Sequence, residues 1–174
     1  WAIDARNGGV IEPAAGFGTG TSFASYEGSV SSNDRFLTWV QRHGVSAGCT
    51  LSGPCSEVWR YDLAMGNRAI VSTAADGTEG DRIDARPLLS ADGRYLTWAS
   101  NSTNLVPGGT DASMRQYRKD LVSGEVRVVG DSAVYRSGYI AGRQSISDNG
   151  ERVAWEAPDR WAPPSWSRTW AAAP

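Results

Sequence analysis

A chain of 174 residues with 40% hydrophobic and 21% charged side chains is long enough to bury a sizeable core, and that balance excludes general disorder. A net charge of −2 and a pI near 5.4 supply no long-range pull toward nucleic acid or anionic membrane. No apolar run approaches the roughly 18 residues that span a bilayer. The chain opens on Trp1 rather than methionine, which reads as a processed or trimmed piece whose targeting signal is out of view.

The first element, "WAIDARNGGVI", carries Trp1 and Asp4 on a short extended run. The Gly-rich "AAGFGTGT" after it lacks the third glycine of G-x-G-x-x-G and opens no helix, so it does not predict nucleotide binding. Next, "VSSNDRFLTWV" (Val30 to Val40) alternates with a period of two, Leu37 and Trp39 sharing one face. A turn pair, Asn33-Asp34, precedes that run. His43 follows in "VQRHGVSAGC" and is the only histidine. It reads as a solvated loop residue, because no second histidine exists to share a metal or a proton relay. No serine lies in G-x-S-x-G, so a hydrolase triad would have to recruit His43 alone. No catalytic residue, cofactor or metal is predicted.

Cys49 and Cys55, in "GCTLSGPC", are the only cysteines. Zinc takes four ligands, which these two and one histidine do not supply. A disulfide closing a tight loop is the preferred reading, with two unpaired thiols as the alternative. Such a bond removes on the order of 2 kcal/mol of unfolded-chain freedom and predicts an exported protein, since cytosolic thiols stay reduced. The next run, "SEVWRYDLAMGNRAIV", reads as a hairpin turning at Gly66-Asn67. "ADGTEGDRID" then contributes Asp76, Glu79, Asp81 and Asp84 without the EF-hand spacing, and predicts a solvated loop rather than a calcium site.

From here the chain repeats itself. "LSADGRYLTWA" (Leu89 to Ala99) restates the Val30 to Val40 run, and "ISDNGERVAWEA" restates it again from Ile146. The three tryptophans, Trp39, Trp98 and Trp155, lie 59 and 57 residues apart. Asp92-Gly93 and Asn149-Gly150 stand where Asn33-Asp34 does, and such pairs suit tight hairpins because both positions accept positive φ. "MRQYRKDLVSGEVRVV" repeats the second hairpin, with Asp62 and Asp120 spaced by 58 and Asp4 a further 58 before. Near the end, "SRTWAA" matches the start of that element at Trp170. A fixed period near 58 residues, two hairpins per period and no helical periodicity predict an all-β repeat. Four-stranded antiparallel sheets in series are blades, and blades arranged radially make a β-propeller.

The stretch from Ala75 to Val129 closely resembles the blade repeat of TolB-type, WD-like bacterial propellers. The Ser-x-Asp-Gly-Arg-Tyr turn and strand, "TNLVPG" and an Asp-Leu-x-x-Gly hairpin carry the resemblance. It implies a binding scaffold, and it makes "ADGTEGDRID" the link between successive blades. The family habit of an acidic residue two before the aromatic is kept by Glu57 but not by Arg115 or Arg168. The repeats divide the chain into a partial blade 1–25, blades 26–83 and 84–139, and a partial blade 140–174. About three blades are fewer than the four to eight of a closed propeller, so the ring is either incomplete or completed by association with further blades or chains.

In-register tryptophans, Trp39, Trp98 and Trp155 at one place and Trp1, Trp59 and Trp170 at another (with Tyr117 standing in), are assigned to the packing between sheets. Trp161 and Trp166 fall outside the register, in the Pro-rich "PDRWAPPSW". Flanked by Arg160 and Arg168, they have the composition of a binding hot spot, or else fold back over a bare sheet edge. Three functions fit: a non-catalytic, exported or cell-surface scaffold for a protein, an envelope polymer or a glycan; the propeller portion of a larger peptidase-type hydrolase; or a structural subunit whose open blade edges pair between chains.

Overall fold

The computed structural model describes residues 2–4, 9–11, 25–43, 49, 55–131, 144–157 and 169–173. Every regular element among them is a strand. The hairpin β1 (Ala2–Asp4) and β2 (Gly9–Ile11) comes first. A four-stranded antiparallel sheet follows, built in chain order from β3 (Ser25–Val30), β4 (Phe36–His43), β5 (Cys55–Asp62) and β6 (Asn67–Ile70). The second sheet has the same order: β7 (Asp84–Leu89), β8 (Tyr95–Ser100), β9 (Arg115–Asp120) and β10 (Val126–Asp131). The third contains β11 (Gln144–Ile146), β12 (Val153–Ala157) and β13 (Thr169–Ala173). Among the described residues no helix is long and apolar enough to cross a membrane, a statement that does not reach β-barrels.

The repeated sequence makes repeated structure. Trp39 lies opposite Trp59 in β5, and Trp98 opposite Tyr117 in β9, each pair stacked at 6.3 Å and 5.4 Å between ring centroids. Trp39, Trp98 and Trp155 are all buried. Asp4 faces Gly9 as Asp62 faces Asn67, so β1–β2 is equivalent to the outer hairpin β5–β6. One register differs from the expectation. Trp155 faces Ala171, and Trp170 faces Glu156, so Ala171 occupies the Trp59 and Tyr117 position. Letter matching placed Trp170 there; the pairing moves it by one residue, and a slip of one reverses which face a side chain takes.

The turns after the first strands also differ in detail. Only the second residue of each pair has positive φ: Asp34 at 57°, Gly93 at 72° and Gly150 at 70°. The first is there for its side chain. Asn33, Asp92 and Asn149 each accept a hydrogen bond from the serine hydroxyl two residues before, at 2.6, 2.6 and 2.8 Å. Each also accepts one from the amide two residues after, at 3.1, 3.0 and 3.2 Å. The serine oxygen in turn accepts the amide of Phe36, Tyr95 or Arg152. This is Asx-turn chemistry, in which a short polar side chain substitutes for a missing main-chain partner.

Sheets pack face to face in sequence, the inner strand β7 against β3, β4 and β5, and β11 against β7. The main core, Phe36, Val40, Val58, Val71, Leu89, Leu96, Trp98, Leu105 and Tyr117, draws on both complete sheets and their connections. Junctions are clasped by a repeated device. The Phe36 ring sits between the Arg35 and Arg60 guanidiniums, at 4.8 and 4.6 Å, and packs on Gly93 of the next sheet's turn. Arg60 then donates to the Gly93 carbonyl at 3.1 Å. Tyr95, Arg94, Arg118 and Gly150 repeat this at the second junction, Arg118 donating to the Gly150 carbonyl at 2.6 Å.

Candidate functional site

Antiparallel order brings one kind of connection to one end of the blades. β4 finishes at His43 opposite Cys55, β8 at Ser100 opposite Arg115, and β12 at Ala157 opposite Thr169. β7 begins there too, with Asp84 opposite Ser100. The segments joining second to third strands leave the sheets at this end, and their sequences differ between repeats far more than those of the second strands do. Such loops on a rigid scaffold are where binding function concentrates.

In the first repeat the connection is tied by the Cys49–Cys55 disulfide, with Cα atoms 6.0 Å apart. The bond forms as expected from the spacing, and there are no free thiols. Cys55 is buried. In the second repeat the connection 101–114 is laced to the interblade link. Thr103 donates its amide and its hydroxyl to the Asp81 carboxylate, both at 2.7 Å. The Asn104 side chain accepts from the Asp81 amide and donates to the Glu79 carbonyl. Asn101 and Ser102 side chains accept the amides of Ile83 and Arg82, while Leu105 is buried beneath. The motif "TNLVPG" is therefore the lacing itself.

The link corrects one expectation. Asp76 and Glu79 are exposed, but Asp81 and Asp84 are buried, so half of "ADGTEGDRID" is not a solvated loop. Asp84 is spent on the junction between sheets. Its main chain exchanges two hydrogen bonds with the Ser56 hydroxyl, at 2.7 and 2.9 Å, and its Oδ1 accepts from the Trp98 indole at 3.2 Å. Burial pushes its carboxyl up to about 7, against the opposing pull of the Ser100, Ser72 and Trp98 donors and with a further rise from the buried Glu57 carboxylate nearby. A second buried ion, Lys119, donates to the carbonyls of Thr73 and Ala74 and to the Thr73 hydroxyl. Its desolvation lowers it to about 8. Periodicity singles out neither group for burial, because each bonds residues far along the chain, Asp84 in the first sheet and Lys119 in the link that follows it. The acid-before-aromatic position is held by Glu57, by Arg115 and, by pairing register, by Thr169 rather than Arg168.

Arg160, Trp161, Trp166 and Arg168 lie outside the described residues. The strand ends that flank them, Ala157 and Thr169, are paired at the loop end, in the place that Ser100 and Arg115 hold in the second sheet. His43 is the last residue of β4 rather than part of a loop. Among the described residues no three histidine, cysteine or acidic side chains come together as a metal site would require.

Four-stranded antiparallel meanders packed face to face in series define the class: these are β-propeller blades. No protein-family model matches the chain, and no curated protein sequence does. Solved structures match it. An acylaminoacyl peptidase from Pyrococcus horikoshii superposes on 78% of this chain and 17% of its own, at 11% identity and a TM-score of 0.50. A second acylaminoacyl peptidase structure covers 83% of this chain and 19% of its own, at 12% identity and a TM-score of 0.50. TolB from Acinetobacter baumannii covers 86% and 29%, at 15% identity and a TM-score of 0.49. The chain spans less than a third of each of these proteins. At such identities the likeness to the two peptidase structures supports the propeller fold and does not extend to activity.

Proposed function

We propose that this chain is a non-catalytic binding scaffold of an exported or cell-surface protein, with repeats divided near residues 26, 84 and 140. Its loop end presents the binding surface, centred on Arg160, Trp161, Trp166 and Arg168, and its open row of blades associates with further blades. The observation that carries this reading is how the polar chemistry is used. Asp81, Asp84, Lys119 and the turn residues all hold connections or junctions, which leaves a rigid frame with variable loops at one end. The disulfide at that end supports export. A protein or an envelope polymer is the partner class that a tryptophan pair flanked by arginine in sequence fits.

A second reading, the propeller portion of a larger peptidase-type hydrolase with catalysis elsewhere, is favoured by the fold likeness to acylaminoacyl peptidases. One experiment tests the scaffold reading. Purified chain is incubated with envelope fractions, and bound protein and polymer are quantified for wild type and a Trp161→Ala/Trp166→Ala variant. The scaffold reading expects binding to fall about tenfold or more with the melting temperature unchanged. Peptide turnover that survives His43→Ala, or binding indifferent to both tryptophans, would refute it.

A further inference from the structure

The clasp that joins successive sheets needs three residues: an aromatic at the start of the second strand, an arginine on the third strand, and a glycine in the next sheet's turn. A Cβ on Gly93 or Gly150 would stand 2.1 Å from a ring carbon of Phe36 or Tyr95. Both described junctions satisfy the rule. The two outer sides of the described row break it in all three places. On the leading side, the turn of the first sheet carries Asp34 where the others have glycine, at φ 57°. On the trailing side, the third sheet carries Arg152 at the Phe36 and Tyr95 position, fixed by the Arg152 amide bonding Ser147 as those of Phe36 and Tyr95 bond Ser31 and Ser90. Ala172 replaces the clasp arginine, since it faces Ala154 as Arg60 faces Thr38 and Arg118 faces Thr97. Ala2, two residues before Asp4 in β1, holds the same place.

These departures complement one another. An arginine replaces the ring and an aspartate replaces the glycine that the ring would touch. Both side chains are exposed, and neither makes an ion pair among the described residues; Glu151 beside Arg152 accepts from Asn149 instead. A main-chain relay points the same way. Asn33 donates its amide to the Ala91 carbonyl, and Ala91 to Asp148, both at 3.0 Å. Among the described residues the Asp148 amide then has no acceptor and the Ser32 carbonyl no donor.

We propose that the trailing face of the third sheet docks on the leading face of the first sheet of a second copy of this chain, Arg152 of one copy pairing with Asp34 of the other. The pairing is head to tail, so it closes a ring or continues as a filament according to the angle between copies. This rests on the reading that the open blades associate, and it names the partner and the contact.

The test is light scattering on the wild-type chain and on Asp34→Lys and Arg152→Glu variants, alone and mixed. Wild type should show a mass at or above twice the 18.6 kDa chain. Each reversal alone should weaken association on the order of 10–100-fold, because like charges then meet. An equimolar mixture should recover it, since every contact in a mixed pair is either native or swapped. Asp34→Asn keeps a residue suited to positive φ and should weaken association with an unchanged melting curve, which guards against a folding defect. A wild-type chain that stays monomeric at every concentration overturns the proposal, as does a mixture that associates no better than its parts. Either result leaves the scaffold reading to stand or fall on the Trp161 and Trp166 experiment.

Discussion

Asp84 begins β7 with its carboxyl sealed between two sheets, beside Glu57 and beneath the Trp98 indole. Its folded pKa, near 7, lies above the roughly 3.9 of an unfolded aspartate. Between those values the folded chain holds a proton that the unfolded chain has released, so stability falls as pH rises through that window and levels above it. Asp120 has the opposite sign. The Arg94 side chain and the amides of Val122 and Ser123 hold it well below the usual range, so its contribution is lost only in strong acid. Asp84→Asn should therefore gain melting temperature over wild type progressively between about pH 4 and 7. A difference that is constant across pH would show that Asp84 ionises as freely in the fold as out of it. Periodicity could not reveal this residue. A run of four acids in ten residues has the look of a hydrated loop, and water is removed from two of them only by the packing of one sheet on the next at Asp84 and by the lacing of the 101–114 connection at Asp81.

At the scale of the element, the turns test the clasp. Gly93→Ala and Gly150→Ala force a methyl group into the Phe36 or Tyr95 ring in addition to straining a positive φ. Urea unfolding should register a loss of roughly 2–4 kcal/mol for each. Gly77 also has positive φ, but no atom lies within 4 Å of where an alanine methyl would stand; Gly77→Ala should lose only about 1 kcal/mol. Equal losses at all three would mean the rings do not pack on the turns. The strands were legible because alternation and turn residues are local signals. The shift at Trp170 was not, since Ala171, Ala172 and Ala173 offer no large side chain to pin the register, and pairing with β12 decided it.

Across the whole molecule, the core joins the first two sheets into one unit. Leu96 is fully buried within it, among residues from both. Leu96→Ala should destabilise by roughly 2–5 kcal/mol, and urea-dependent exchange of the amide hydrogens shared by β4 and β5 and of those shared by β8 and β9 should report the same transition. Separate transitions would make the sheets independent repeats coupled only weakly. By itself the amino-acid order determined the strands, their turns, the period near 58 residues and hence the blade, because each depends on neighbours a few residues away. Tertiary structure alone decided which polar groups are buried, how the clasps join the sheets and where the row departs from them, because those interactions form between residues some 30 to 60 positions apart that no local pattern records.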